Sequence, residues 1–260
     1  MRLYTMNLDI AYDEKVIVKN LSVTIPDKKI TTIIGPNGCG KSTLLKAMTR
    51  LIPYKEGQVI LDGKEIHKEN TKELAKKLAI LPQSPDHPSG LTVYELVSYG
   101  RFPYQAGFGR LTKQDKEIID WALDATGLLE LKYRPVDSLS GGQRQRAWIA
   151  LALAQDTDII FLDEPTTYLD IAHQLEVLEL LERLNREEDR TIVMVLHDLN
   201  HAARFAHFII AMKDGRIVKT GTSEEVIDRN VLREIFQIEA IVGKDPLTKK
   251  PLCYTYNLIK

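Results

Sequence analysis

The sequence predicts an α/β fold interrupted by a helical insertion, and three observations predict it. Short apolar, β-branched runs alternate with helical segments toward both ends of the chain. The stretch between them, residues 88–156, carries helical patterns only. A glycine-rich turn, GPNGCGKST from Gly35 to Thr43, joins the buried-looking run ITTII to a helix, an arrangement that belongs to a sheet edge with a ligand on it.

The elements follow in order. LYTMNLDIAY and VIVKNLSVTI alternate with a period of two and read as strands, with PDKK as a turn. ITTIIG is compact and β-branched, as a fully buried strand requires. KSTLLKAMTRLI reads as helix, stopped by PYKEGQ. GQVILDGKEI is a hairpin turning at Asp62-Gly63, and TKELAKKLAILPQ is helix, then strand. SPDHPSG is a loop, and LTVYELVSYGR and TKQDKEIIDWALDATGL are helices. SLSGGQRQRAWIALALAQ is a loop running into a helix. Alternation then resumes with strand DIIFLDEP, helix AHQLEVLELLERLNREE and strand TIVMVLHD. Helix LNHAARFA, strand HFIIAMKDGRI and one last helix near SEEVIDRNVLREIF complete the pattern. The tail KDPLTKKPLCYTYNLIK is polar and gives no structural signal.

With 260 residues, 44% of them hydrophobic, a sizeable core can be buried. A formal net charge of -1 gives no pull toward nucleic acid or acidic membranes, so no nucleic-acid partner is expected. Two distant cysteines, Cys39 and Cys253, make no disulfide framework and suit a reducing compartment. No apolar run approaches the roughly 18 residues that span a bilayer, and the N-terminus lacks a signal-peptide block. A soluble, cytoplasmic chain is the expectation.

Gly35-x-x-x-x-Gly40-Lys41-Ser42 fits the phosphate-loop pattern. Its glycines let successive amides point inward, and the helix N-terminus adds to the anion cradle. Lys41 supplies a point charge for the β- and γ-phosphates, and the Ser42 hydroxyl can ligate Mg²⁺. The ligand is a nucleoside triphosphate. DIIFLDEP ends an apolar strand in Asp163-Glu164, which puts carboxylates at the edge where α/β ligands bind. Asp163 is placed to hold Mg²⁺, and Glu164 to polarise the attacking water as general base. LSGGQ, Leu139 to Gln143, caps a strong helix with Ser140 and bares amides at Gly141 and Gly142. By itself it reads equally as a second phosphate-binding surface or as a flexible hinge capping a helix. His197 and His201 share zinc-ligand spacing, but HDLNH lacks the glutamate of HExxH, and a zinc site is rejected.

Taken together, the phosphate loop, LSGGQ, IIFLDEP, Gln83 in LPQ, YLD and His197 in VLHD resemble the ATP-binding cassette family over nearly the whole chain. The resemblance implies a RecA-like P-loop NTPase core with an antiparallel β subdomain and an inserted α-helical subdomain. The implied division is core and β subdomain at 1–87 and 157–220, helical subdomain at 88–156, and a C-terminal extension at 221–260. It implies that Tyr12 stacks on adenine, and that Gly35, Pro36, Asn37, Gly38, Cys39, Gly40, Lys41, Ser42 and Thr43 bind nucleotide. Ser42, Gln83 and Asp163 then serve Mg²⁺, while Glu164, His197 and Gln83 serve hydrolysis. Ser140, Gly141, Gly142 and Gln143 act on the nucleotide of the opposite subunit of a homodimer, and Asp170 bridges the two subunits.

The segment from Pro88 to Gln105 and EPTTYLDIAHQLEVLELL resemble ATPases of importers for iron–siderophores, haem and cobalamin. Separate integral membrane permease subunits are implied as partners, with an extracytoplasmic substrate-binding protein acting indirectly. The implied location is peripheral, on the cytoplasmic face of the cell membrane. The alternative is a soluble cassette ATPase working on DNA or the ribosome; the short insertion without heptads and the single, near-neutral cassette weigh against it. Cys39 departs from the family's usual serine. The cradle's charge would lower its pKa and burial would raise it; its thiol is expected to be open to reagents when no nucleotide is bound, the other reading being a small buried residue standing in for serine.

Overall fold

The structure, a computed structural model, describes residues 1–83, 89–105 and 110–259. The first five residues of the SPDHPSG loop, and with them Pro88 and the division expected between 87 and 88, lie outside the described residues.

The chain opens with β1 (Leu3–Tyr12), β2 (Lys15–Ile25), β3 (Ile30–Ile34), α1 (Lys41–Met48), β4 (Glu56–Leu61) and β5 (Lys64–Glu65). It continues with α2 (Thr71–Leu74), β6 (Leu78–Leu81), α3 (Val93–Ser98), α4 (Lys113–Ala125), α5 (Gly141–Ala154), β7 (Ile159–Leu162) and α6 (Ile171–Glu188). It ends with β8 (Thr191–Val195), α7 (Leu199–Phe205), β9 (Phe208–Lys213), β10 (Arg216–Gly221), α8 (Ser223–Val226), α9 (Arg229–Phe236), β11 (Ile238–Lys244) and β12 (Pro251–Leu258). Two compact units result: Met1–Glu69 with Thr191–Lys260, and Asn70–Arg190.

In the first unit an antiparallel sheet runs β2-β1-β4-β5. Its β4–β5 turn at Asp62 and Gly63 has both residues at positive φ, 50° and 76°, the backbone that a two-residue hairpin with matching twist needs. Beside it, β3 pairs in parallel with β8 on one side and β9 on the other. All five residues of β3 and of β8 are buried, which is why neither shows the in–out alternation of a half-exposed strand. Parallel pairing brings the carboxyl end of β3 level with that of β8, where Leu196 donates to the Ile33 carbonyl at 3.3 Å.

The C-terminal residues depart from the sequence reading twice. The single last helix is two, α8 and α9, because Asp228 caps the second by accepting from the amides of Asn230 and Val231. The tail read as uninformative is a strand: β12 pairs antiparallel with β11. Its inward face holds little more than Pro251 and Cys253, too sparse an alternation to register. What holds it is tertiary. Asn200 of α7 accepts from the Cys253 amide at 2.8 Å and donates to the Cys253 carbonyl at 3.2 Å, and Asp245 closes the hairpin tip by accepting from Leu247 and Thr248.

In the second unit β6 and β7 pair in parallel, and α3, α4 and α5 pack on one another. Three helices begin with reciprocal caps: Thr92 with Glu95, Thr112 with Asp115, and Ser140 with Gln143. Each is worth about 1 kcal/mol. Asp115 also closes a buried ion pair with Arg101 at 2.8 Å. Burial opposes the charge, but the bonds from Thr112 and Arg101 prevail and hold its carboxyl below the usual range.

Candidate nucleotide and hydrolysis site

The first unit builds the phosphate loop from local backbone. After β3 the chain enters Gly35 at φ 153°, where a side chain would sit 2.2 Å from the Met212 carbonyl of β9. It reaches Gly40 at φ 102°, where a side chain would crowd Val18 of β2. Only glycine satisfies both. Gly40 starts α1 with no side chain capping it, so no capping side chain competes for the helix's positive end. Asn37 and Gly38 form the exposed crest, Pro36, Ser42 and Thr43 are half-buried, and Lys41 is buried. Lys41 Nζ donates to the carbonyls of Gly35 and Pro36 at 2.9 and 3.0 Å, arching its charge over the loop.

A turn that the sequence reading did not single out backs this loop. Gly215, between β9 and β10, donates to the Cys39 carbonyl at 3.0 Å and accepts from the Lys19 amide at 3.1 Å. Its signal was the dipeptide Asp214-Gly215, an ordinary hairpin turn on its own. Cys39 itself is buried, 4% exposed, with its sulfur against the Gly35 backbone. Burial outweighs Lys41 and pushes the thiol's pKa up. The expectation of an open thiol is therefore corrected: the residue fills space where the family carries serine. Tyr12, at the end of β1, is 47% exposed, and His197, just past β8, is exposed. The next residue, Asp198, caps α7 by accepting from the His201 amide at 2.7 Å. Among the described residues no cluster of His, Cys, Asp and Glu could hold a metal ion by itself.

The second unit gathers the acidic strand end. Asp163, just past β7, is 1% exposed, and its amide donates to the Leu81 carbonyl of β6 at 2.9 Å. Glu164 turns away from it at φ 56°, a left-handed conformation that costs a non-glycine residue about 1 kcal/mol or more. Gln83, 81 positions earlier, donates through Nε2 to Glu164 Oε2 at 2.5 Å. Thr167 donates to the same oxygen at 3.0 Å. Thr167 was not singled out, though its i,i+3 spacing from Glu164 is a local signal.

Ser140, Gly141 and Gln143 form the exposed or half-exposed entry to α5, while Gly142 is buried. Ser140 Oγ accepts from the Gln143 amide at 3.3 Å, and Gln143 Oε1 accepts from the Ser140 amide at 3.1 Å. Asp170 is exposed and caps α6 by accepting from His173. The capping bond from the His173 amide, aided by its imidazole, holds the Asp170 carboxyl below its ordinary pKa.

A strand, a glycine-rich loop with a buried lysine, and a helix define a P-loop nucleotide-binding protein; the helical insertion and the LSGGQ cap narrow the class. The chain belongs to the ABC transporter family, whose model matches residues 18–167. Within that family it is 60% identical to the iron(3+)-hydroxamate import ATP-binding protein FhuC of Bacillus subtilis, over 99% of this chain and 96% of the relative. It is 47% identical to the ferric enterobactin transport ATP-binding protein FepC of Escherichia coli, over 96% and 93%. Among solved structures it resembles an inward-facing metal-chelate type ABC transporter, with a TM-score of 0.84 and 26% identity over 100% of this chain and 98% of the other. It also resembles the dimeric ABC cassette MJ0796 bound to ADP and phosphate after hydrolysis, at 0.75 and 31%, over 85% and 98%. The α/β class with its antiparallel sheet agrees with the sequence expectation. Among the described residues no helix is long and apolar enough to cross a membrane.

Proposed function

We propose that this chain is the ATP-hydrolysing subunit of an importer, with an iron–siderophore-type chelate as cargo. It works as a homodimer, held peripherally at the cytoplasmic face of the membrane by separate permease subunits. An extracytoplasmic substrate-binding protein delivers the cargo. The observation that carries the reading is the phosphate loop, whose buried Lys41 and uncapped helix end are built for a triphosphate. The names of the relatives support the cargo class.

In this reading Tyr12 stacks on the base, and residues 35–43 hold the phosphates. Ser42, Gln83 and Asp163 offer hydroxyl, amide and carboxylate oxygens, a donor set that fits a hard Mg²⁺ completing its shell with phosphate oxygens and water. Bound there, the ion would neutralise charge on the phosphates. Glu164 takes the proton of the attacking water, Gln83 fixes the orientation of that carboxylate, and His197 contacts the γ-phosphate. Ser140, Gly141, Gly142 and Gln143 close on the nucleotide of the opposite subunit, whose triphosphate thereby bridges the dimer. Asp170 is the contact between subunits. Hydrolysis removes the bridge and reopens the dimer. The outward aromatic Phe102, 71% exposed on the turn after α3, suits contact with a permease.

The test is reconstitution in vesicles with the permease and binding protein of a ferric hydroxamate importer. ATP-dependent uptake of a ferric hydroxamate is expected. Absence of uptake for every iron chelate, with ATPase unaffected by the permease, would overturn the assignment.

A further inference from the structure

His173, the third residue of α6, is not needed at its position for the helix to start. The cap requires only its backbone amide, which donates to Asp170 Oδ1 at 2.9 Å. The side chain does two further things. Nδ1 lies 2.7 Å from the same Asp170 Oδ1, and since a carboxylate only accepts, Nδ1 donates. The ring also lies against the signature backbone of a different helix. A Cβ placed on Gly142 would fall 2.7 Å from His173 Cδ2 and 2.9 Å from Cγ, distances that no real side chain tolerates. The imidazole thus occupies the room that glycine leaves, and it touches Gly142 and Asp170 at once. Asp170 keeps 67% of its side chain exposed, against 37% for His173, so the carboxylate is presented outward while its inner oxygen is held.

We propose that His173 is a positioning residue that locks Asp170 to the signature glycine Gly142. Closure of LSGGQ on a triphosphate and presentation of Asp170 to the partner subunit then become one movement. This rests on the reading above, in which the signature and Asp170 both act across the dimer. Without the imidazole, Asp170 keeps only the backbone capping bond from His173 and loses its tie to Gly142 of α5.

The test uses the full chain in a Glu164→Gln background, with ATP-dependent dimerisation read by light scattering, and turnover measured in the otherwise unaltered chain. His173→Ala is expected to raise the ATP concentration for half-dimerisation about tenfold and to lower kcat about tenfold, the worth of one charge-assisted hydrogen bond. Affinity of the monomer for a fluorescent ATP analogue is expected to stay unchanged, a split that a purely structural role would not produce. His173→Asn keeps a donor near the Nδ1 position and is expected to recover most of the loss. His173→Phe keeps the ring against Gly142 without the donor and is expected not to. A His173→Ala chain that dimerises and turns over like its parent overturns the proposal, and so does equal behaviour of the Asn and Phe variants. If the Glu164→Gln parent itself fails to dimerise with ATP, the shared-interface reading falls and this proposal falls with it.

Discussion

Replacing Glu164 by Gln separates chemistry from architecture. The residue sits at φ 56° and receives bonds from Gln83 and Thr167 on one oxygen. Glutamine has the same reach and the same backbone cost, and its amide oxygen can accept both bonds. What is lost in the ground state is the charge assistance of those bonds, about 1 kcal/mol. For a chain of this size that lowers Tm by about 2–4 °C. The kinetic loss is larger: a general base contributes about 10²–10⁴ in rate, or about 3–5 kcal/mol of barrier. Phosphate release under single-turnover conditions should therefore fall by at least about a hundredfold, while affinity for MgATP stays near wild type. Size-exclusion with MgATP should show a dimer that persists, because the bridging triphosphate is no longer cut. Turnover within about threefold of wild type, alongside the small Tm shift, would remove Glu164 from the role of base.

Four further outcomes are expected. Cysteines at Ser140 and at Asn37, on the exposed crest of the phosphate loop, should crosslink between chains in a Cys39→Ser, Cys253→Ser background; links confined to one chain, read on denaturing gels, would refute the head-to-tail dimer. Cys39, buried with a raised pKa, should react with maleimide more slowly than a free thiol at neutral pH and faster as pH rises, and Cys39→Ser should keep its ATPase. Gln83→Ala should uncouple hydrolysis from uptake in reconstituted vesicles more than it weakens ATP binding; collapse of ATP affinity with coupling intact would make Gln83 a mere ligand. Asp115→Ala should cost about 3–5 kcal/mol by leaving the Arg101 charge buried, a Tm loss of about 10 °C by calorimetry. Because the folded Asp115 carboxyl is held below its ordinary range, its contribution is present above the ordinary carboxylate pKa and is lost as pH falls through the lowered one.

The phosphate loop, the Asp62-Gly63 hairpin and the Ser140 cap could be read from sequence because each is a local event. A glycine at positive φ, a serine three residues before its reciprocal partner, or a buried β-branched run carries its reason within a few neighbours. The strand order β10-β9-β3-β8 around the loop and the pairing of Gln83 with Glu164 have no such local signature. Their partners are far apart in sequence and meet only when the chain packs. The same holds for β12, whose inward face is too slight to register until α7 supplies Asn200. Cys39 shows the limit most directly. Lys41 and the helix end argued for a thiolate, and burial argued against it, with both visible in the motif. Desolvation by the folded surroundings outweighs the neighbouring charge. Which force prevailed depended on how tightly β2 and β9 close around the loop. His173 likewise reads as one more helical residue until tertiary packing sets Gly142 against its ring. Sequence alone determined the local machinery of phosphate recognition. The tertiary structure decided which distant residues brace it, because contact between segments far apart in the chain depends on packing that no local pattern encodes.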